Sequence, residues 1–294
     1  MYFNKITPGR IDPQKPLTFD DFYNYYTFHL MELAVSRFKW SGLPDYIPID
    51  IVERTLISNG LACMTYGDYG LQFFACAPSG TLNIYGLPTS VTPYPLFGSV
   101  NLNLSNIRTG ENGVIIYNNI AQTTDLWIID YYARQLASIK QTQYINITAQ
   151  RTTQIVATDK KAEKSMREAY AKQQLGAQVL FVDPTFDASK LGVYNVTAPV
   201  VFDKLQEQLD TLWDEVLTML GINTPAVRKK ERLIVDEANA NNNEIQQNSM
   251  LRLRFRQQAC ELLNSMYGIN VSVSLTSEDI EIKDLMLENV FGGE

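Results

Sequence analysis

Two stripes of opposite character run along residues 199–221. Apolar residues recur at steps of three and four, so they lie on one face of a helix; they are Leu205, Leu209, Leu212, Val216 and Met219. Acidic residues recur at the same steps but displaced by two positions, which is roughly the opposite face; they are Asp203, Glu207, Asp210 and Asp214. Pro199 suits the first turn and Gly221 the position past the last turn. The pattern predicts an amphipathic helix with one acidic face.

Helical patterns also occur in four further segments. Thr18 can cap a helix that continues to about residue 40, with acidic residues in its first turn. Residues 50–59 predict a short helix that ends at Gly60. A second long helix is expected over 123–150, and helical spacing returns over 249–267 with Gly268 as its end. The chain is therefore expected to contain two long helices, 123–150 and 199–221, about 50 residues apart.

The segments between these helices predict β-structure. Residues 61–100 consist of short apolar runs separated by glycine and proline, which is typical of antiparallel strands in a small barrel or sheet, and residues 113–117 add another strand. Residues 270–275 alternate and predict a strand that returns to this sheet-rich part. Residues 151–198 predict a compact α/β insertion with strands at 154–157 and 178–182 around a charged helix at 161–175. The fold class is therefore α+β.

Three segments predict little regular structure. Residues 1–17 form a basic arm with several prolines, and residues 277–294 form an acidic tail. Residues 222–248 contain four closely spaced asparagines, at 239, 241, 242 and 243. Because asparagine competes for backbone hydrogen bonds and tolerates left-handed conformations, this segment is predicted to be a mobile loop.

Composition restricts the function. The formal net charge is −7 over 294 residues, which argues against tight DNA binding, since such binding draws on lysine and arginine. No window approaches the roughly 18 uncharged apolar residues of a membrane helix, and the N-terminus lacks the apolar core of a signal peptide. The three cysteines show no CxxC spacing, so buried thiols are expected.

The sequence offers no catalytic or cofactor-binding motif. It has one histidine, His29, and neither a phosphate-binding glycine loop nor a GxSxG or HExxH motif. One histidine and three scattered cysteines do not make a zinc site of the usual kind. Asp236 and Glu237 lie near several basic residues, but such groups on a polar loop usually pair in solvent. We expect no enzyme activity, no cofactor and no metal.

Several segments, taken in order, resemble a known family. They are Phe38 to Pro44, Gly113 to Asn119, Ala198-Pro199 with the residues after it, Trp213, Leu220-Gly221-Ile222, Lys229-Lys230-Glu231-Arg232, Asp236-Glu237 and Ala259-Cys260-Glu261. Together they resemble the portal proteins of phi29-like short-tailed bacteriophages, also called head–tail connector or upper collar proteins. The resemblance extends from about Phe28 to Val273.

The resemblance implies a domain organisation and a set of partners. Residues 18–122 and 249–276 would form the wing and crown, 123–150 and 199–221 the stem helices, 151–198 the clip and 222–248 a channel loop. The subunits would form a ring, expected to be a dodecamer, through which double-stranded DNA passes. Capsid and scaffolding proteins, a packaging ATPase and a lower collar or tail protein would be partners. The location would be the virion, after assembly in the host cytoplasm.

The resemblance also implies roles for individual residues. In a ring, Asp203, Glu207, Asp210 and Asp214 would each form a circle of negative charge on the channel wall, which repels phosphate. Lys204 would add one basic circle near the clip. Lys229, Lys230 and Arg232 match the basic start of the family's channel loop and would contact passing phosphates without reading sequence.

Two alternatives remain open at the level of sequence. One is a non-catalytic nucleic-acid-binding protein that acts as a monomer or dimer through the basic segment 228–232. The other is an enzyme of unknown type. A ring of about twelve copies would favour the portal, whereas a monomer with tight, salt-sensitive DNA binding would favour the first alternative.

Overall fold

The computed structural model describes residues 16–67, 69–86, 88–96, 106–151, 154–157, 191–194, 201–222 and 235–276. The chain divides into two compact units. The larger unit comprises Met1–Ser138 and Leu209–Glu294, and the smaller unit comprises Ile139–Gln208.

The described residues form an α+β fold. The helices are α1 (Phe19–Val35), α2 (Ile49–Asn59), α3 (Leu126–Arg151), α4 (Phe202–Leu220) and α5 (Val235–Tyr267). The strands are β1 (Phe38–Ser41), β2 (Leu61–Gly67), β3 (Gly70–Leu82), β4 (Pro88–Tyr94), β5 (Val114–Tyr117), β6 (Gln154–Ala157), β7 (Leu191–Tyr194) and β8 (Ser272–Leu275). The helices expected at 50–59, 123–150 and 199–221 are confirmed as α2, α3 and α4.

The described strands pair antiparallel in three sheets. The largest has the order β4-β3-β2-β5, as the pattern over 61–117 predicts, and Ile107 bridges to Val91 beside β4. β1 pairs with β8, not with this sheet, in a register that places Trp40 opposite Val273. In the smaller unit, β6 pairs with β7. The strand expected at 154–157 is confirmed, whereas the helix and strand expected at 161–175 and 178–182 lie outside the described residues.

One apolar core joins the two sheets of the larger unit. Its buried side chains come from β1, α2, β2, β3, β5, α5 and β8; they include Trp40, Leu56, Met64, Leu71, Ile116, Leu263 and Val273. A separate cluster on the other side of the four-stranded sheet contains Cys63, Cys76, Val91 and Ile107. The free thiols of Cys63, Cys76 and Cys260 are all buried, as expected. Burial raises the pKa of Cys260 to about 12, so this thiol stays protonated at neutral pH.

The prediction of one helix from residue 18 to residue 40 is wrong at its C-terminal end. Thr18 caps α1 as expected, in a capping box with Asp21, but the helix ends at Val35. Residues 38–41 instead alternate between buried and exposed and pair with β8. The apolar residues that are buried in this strand also fit helical spacing, so the local pattern favours a helix. The strand β8 that pairs with them lies more than 230 positions away in the sequence.

The prediction of a loop over residues 222–248 is also wrong for residues 235–248, which form the first part of α5. Asparagine lowers helix stability only modestly, so tertiary contacts can override it. Ile245 is buried, and the Asn248 side chain donates a hydrogen bond to the Thr218 carbonyl at 2.9 Å. Residues 223–234 lie outside the described residues.

A buried ion pair connects α2 to α5. Arg256 and Glu53 are both fully buried, and Arg256 Nη2 lies 2.7 Å from Glu53 Oε2. The Trp40 indole nitrogen donates to Glu53 Oε1 at 2.7 Å, and Arg256 also donates to the Asn118 carbonyl at 3.2 Å. The guanidinium lies 4.2 Å from the centre of the Phe38 ring. Both charges therefore have several partners, which buried charges require.

A second buried ion pair lies one helical turn away. Arg252 Nε donates to Asp125 Oδ2 at 2.9 Å, and Arg37 Nη2 lies 3.6 Å from the same oxygen. Arg37 Nη1 donates to the Leu220 carbonyl at 2.6 Å, so the C-terminus of α4 is attached to the same cluster. Burial lowers the pKa of Arg37 to about 9, so the guanidinium remains charged at neutral pH. Burial alone would raise the pKa of Asp125, but the hydrogen bond and charge of Arg252 and the charge of Arg37 outweigh it, and the net shift is downward.

Removing Glu53 should destabilise the protein strongly. Glu53→Ala leaves the Arg256 guanidinium buried without its counter-charge, and we expect a loss of about 3–5 kcal/mol in the free energy of unfolding, measured in urea. The double substitution Glu53→Leu with Arg256→Met should regain most of this loss. Glu111→Gln, which breaks an exposed pair with Arg108, should cost below about 1 kcal/mol. A Glu53→Ala cost as small as that of the control would contradict the role of the pair.

Acid should weaken the Asp125 pair. Because the folded-state pKa of Asp125 lies below its unfolded value, the stability it contributes is complete above about pH 5 and is lost as pH falls through the folded-state pKa. The difference in urea midpoint between the parent protein and Asp125→Asn should therefore narrow as pH is lowered from 7 to 3. A difference that stays constant over this range would show that the carboxylate charge contributes nothing.

Candidate channel surface

Helix α4 is amphipathic, as its sequence predicts. Leu209, Val216, Leu217 and Leu220 are buried. Met219, which the stripe pattern assigned to the apolar face, is 37% exposed, and Leu217 and Leu220 take the buried positions near the C-terminus. The buried face is therefore rotated slightly from the predicted one, because several neighbouring helices pack against this end of α4.

The acidic residues of α4 face solvent for the most part. Asp203, Glu207 and Asp214 are exposed, and Asp210 is partly buried. Glu215, which the sequence analysis did not single out, is also exposed and adds a fifth carboxylate. Lys204 is exposed and is the one basic residue in the helix. The helix thus carries five acidic residues and one basic residue.

Within the larger unit, aromatic contacts attach α4 to its neighbours. The Trp213 ring stacks on the His29 ring of α1, with centroids 5.4 Å apart and planes 11° apart, and lies 6.2 Å from the Tyr26 ring. Burial raises the pKa of Tyr26 to about 12, so its hydroxyl stays neutral. Burial and the charge of Glu215 raise the pKa of Tyr132 on α3. Trp213 therefore contacts α1, and the Glu215 charge acts on Tyr132 of α3.

The C-terminus of α4 approaches the backbone of α5 closely. Gly221 follows the helix with a φ of +72°, and a Cβ added there would lie 2.5 Å from the Ser249 backbone nitrogen. Both the left-handed conformation and the close approach require glycine. Together with the bond from Asn248 to the Thr218 carbonyl, this contact fixes the point where α4 meets α5.

In the smaller unit, α3 and α4 contact each other directly. The Gln143 side chain donates to Gln206 Oε1 at 3.3 Å, and Lys140 donates to Gln143 Oε1 at 3.2 Å. Gln143 is buried, so its amide is satisfied by this pairing. The exposed residues Asp203 and Glu207 lie on the same helix as Gln206.

Some predicted site residues cannot be placed. Lys229, Lys230 and Arg232 lie outside the described residues, so the structure does not place them relative to α4. Asp236 and Glu237 belong to the first turn of α5, but only their backbone is described.

The described residues offer no candidate metal site. Among them, no three His, Cys, Asp or Glu side chains come together in a way that could hold a metal ion. His29 packs between the rings of Tyr25 and Trp213, with Glu32 4.0 Å away. In the described part of the chain, no helix is long and apolar enough to cross a membrane.

Sequence reasoning missed the buried arginines. Arg252 and Arg256 lie four residues apart on the same face of α5 as Leu253, Ala259 and Leu263. Arginines at the spacing of an apolar helix face could have indicated a buried ion pair, because a buried arginine requires an acidic partner. The acid could not be identified from sequence, because Glu53 is 203 residues away.

The sequence matches the Phage Connector (GP10) family over residues 4–281. The chain belongs to the phage connector family. Connectors are the portal proteins of phage particles, so this chain is a structural component of a virion, as the sequence resemblance implied. The monomeric or dimeric nucleic-acid-binding alternative is not favoured by this match.

Several solved structures match this chain. A chain from the portal and tail of native bacteriophage P68 matches with a TM-score of 0.52 at 17% identity, over 92% of each chain. An HK97 family portal protein from Corynebacterium diphtheriae matches with a TM-score of 0.45 at 10% identity, over 85% of this chain and 92% of that one. A chain from the virion of a native gene transfer agent particle matches with a TM-score of 0.41 at 9% identity, over 92% of this chain and 86% of that one. The P68 match agrees with the portal-type α+β fold.

Proposed function

We propose that copies of this chain form a closed ring, expected to contain twelve subunits, whose channel admits double-stranded DNA during packaging and releases it during ejection. The observation that carries this proposal is the exposed acidic face of α4, on a helix whose other face is buried. Residues 123–150 and 199–221 act as the stem, 151–198 as the clip, and 18–122 with 249–276 as the wing and crown.

The acidic face would act by repulsion. Each carboxylate becomes a circle of negative charge when the helix is repeated around a ring, and DNA carries one phosphate charge per roughly 1.7 Å of its axis. Such a wall prevents the duplex from adhering while it moves. Lys204, exposed in the first turn of α4, would supply one circle of weak attraction among these negative charges.

The basic segment before α5 would act differently. Lys229, Lys230 and Arg232 carry positive charge close in sequence to the end of α4, which Arg37 and Ser249 hold in place. Contacts to phosphates would resist backward slippage of packaged DNA without sequence preference. With α5 beginning at Val235, the channel loop is shorter than 222–248.

The chain would supply no chemistry itself. A separate packaging ATPase would provide the energy, and capsid, scaffolding and lower collar or tail proteins would bind the outer surfaces of the ring. Assembly would take place in the host cytoplasm. The protein would need no cofactor.

The acidic face can be tested on purified protein. Mass measurement should find a ring of about twelve copies for the parent and for Asp203→Asn with Asp214→Asn, because both carboxylates are exposed. The ring lacking these charges should bind a short DNA duplex about tenfold more tightly at low salt, since repulsion along the wall is reduced. Affinity is measured by fluorescence anisotropy across a salt series.

The matched control removes the same charge elsewhere. Glu111→Gln with Glu261→Gln changes two exposed carboxylates outside α4 and should leave DNA affinity nearly unchanged. An equal gain in both double variants would show that net charge, not the α4 face, governs DNA adhesion. A parent protein that sediments as a monomer at micromolar concentration would refute the ring itself.

The basic segment makes a separate prediction. Changing Lys229, Lys230 and Arg232 to alanine should leave ring assembly intact but reduce the length of DNA retained in filled heads, because phosphate contacts that resist slippage are lost. Retained length is measured by gel electrophoresis of DNA extracted from heads. Rings that fail to form would identify the segment as an assembly element, and full-length retention would show that its charges do not contact DNA.

A further inference from the structure

The β3–β4 hairpin ends in an exposed apolar tip. Beyond Ser79 and its partner Ser90 the two strands leave the core, and Leu82, Ile84 and Tyr85 are 68%, 91% and 80% exposed. The tip is ordered locally, because the Asn83 side chain accepts a hydrogen bond from the Tyr85 backbone nitrogen at 2.9 Å and the Asn83 carbonyl accepts one from Gly86. Single exposed apolar residues are ordinary, but three within four positions at a hairpin tip mark a contact surface.

The whole hairpin is uncharged. Residues 70–94 contain no aspartate, glutamate, lysine or arginine. Exposed strands in monomeric proteins are usually protected from association by charged side chains, above all lysine. This ribbon lacks that protection, so its surface is suited to association with another apolar surface.

The same chain carries an open apolar groove. It has a volume of about 540 Å³ and lies between the residues before and in the first turn of α2 and the start of β3. Its lining includes Tyr46, Ile51, Tyr69, Phe73 and Leu96, and none of its lining residues is charged. Tyr46 and Tyr69 are 61% and 87% exposed at its rim. Pockets that enclose a drug-sized molecule have volumes of roughly 300–1,000 Å³, so two or three side chains fit.

A chain cannot fill its own groove with its own tip. Strand β3 forms one wall of the groove at Phe73 and leads to the tip at Leu82, and a strand rises about 3.3 Å per residue. The nine residue steps from Phe73 to Leu82 therefore separate tip and groove by roughly 30 Å along a strand that pairs with β4. A tip that occupied the groove would therefore belong to a second copy.

We propose that the apolar tip of the β3–β4 hairpin docks in the groove beside α2 on the neighbouring copy. The tip and the groove are different surfaces of one chain, so the contact is head-to-tail, the type that closes into a ring. Tyrosines at the rim suit a contact centre, because they bury large areas with few rotatable bonds. This docking presupposes the ring proposed above and names a surface that would hold it together.

Single substitutions test both surfaces in the full-length chain. Ile84→Asp at the tip and Tyr69→Asp in the groove place a charge in the contact while leaving the fold intact, because both residues are almost fully exposed. Each variant should raise the protein concentration at which rings dissociate by at least about tenfold, a change typical of a contact-centre residue. Ile120→Asp, at a residue that is 73% exposed and belongs to neither surface, should dissociate like the parent.

Mixing the two variants tests the direction of the contact. The tip variant retains an intact groove, and the groove variant retains an intact tip. An equimolar mixture, at a concentration below that at which either variant assembles alone, should therefore form heterodimers. These heterodimers cannot grow further, because both remaining surfaces are altered, and sedimentation measures their size. A mixture that stays monomeric would contradict head-to-tail docking.

Crosslinking decides whether the surfaces meet in an assembled ring. A chain with Tyr69→Cys and Ile84→Cys, treated with oxidised glutathione, should give a ladder of crosslinked copies on a non-reducing gel. Each bond forms as two thiols lose two protons and two electrons to the oxidant, which is reduced to two glutathione thiols. The single-cysteine variants should give no ladder, and Cys63, Cys76 and Cys260 are buried.

The outcomes separate this docking from the ring itself. Parent rings with no ladder, or tip and groove variants that assemble as the parent does, would refute the docking and leave the ring standing. A parent protein that is monomeric at all concentrations would refute both.

Discussion

Two carboxylates and three guanidinium groups are buried together where α1, α2, α4 and α5 meet. Glu53 and Arg256 are separated by 203 residues, Asp125 and Arg252 by 127, and Arg37 and the Leu220 carbonyl by 183. The Glu53–Arg256 pair forms only when α2 and α5 are in place, the Asp125–Arg252 pair only when α5 lies against the residue before α3, and an unpaired buried charge costs several kcal/mol. The excess guanidinium is compensated by carbonyl oxygens, including the last carbonyl of α4. The cluster therefore favours one assembly of the larger unit and fixes the end of the helix that carries the acidic face.

Much of the local structure could be predicted from sequence because its causes are local. The capping box at Thr18 and the glycines that follow α2, α4 and α5 mark helix ends through the conformations of single residues. The failures have non-local causes. Strand β1 exists because β8 pairs with it, and the first turns of α5 are helical although asparagine disfavours helix. The buried ion pairs could be suspected from Arg252 and Arg256 on an apolar face, but their partners could not be identified without the fold.

The acidic face of α4 could also be predicted from sequence because its cause is local, whereas the details of its buried face could not. A helical period of 3.6 residues places Asp203, Glu207 and Asp214 opposite the apolar stripe whatever packs against it, and all three are exposed. Which apolar residues are buried depends instead on the neighbours of α4. Trp213 stacks on α1, and Gly221 lies against α5, so Leu217 and Leu220 are buried where the stripe alone assigned Met219. The exposure of the acidic residues therefore follows from the sequence, whereas the identity of the buried apolar residues depends on tertiary contacts.

A ring lined by acidic helices raises the question of why it would close against its own repulsion. Screening gives an answer, because at physiological salt charges in water interact weakly beyond about 8 Å. A channel that admits a DNA duplex must be wider than the major groove of that duplex, and the groove alone is about 12 Å across. Charges on facing walls of the channel are therefore farther apart than the distance of about 8 Å beyond which salt screens them. A duplex inside the channel brings its phosphates much closer to the wall than the opposite wall is. Across the proposed channel, the carboxylates of α4 would therefore act on the DNA more than on those of the facing wall, and subunit contacts made by uncharged surfaces such as the β3–β4 hairpin would not depend on this screening.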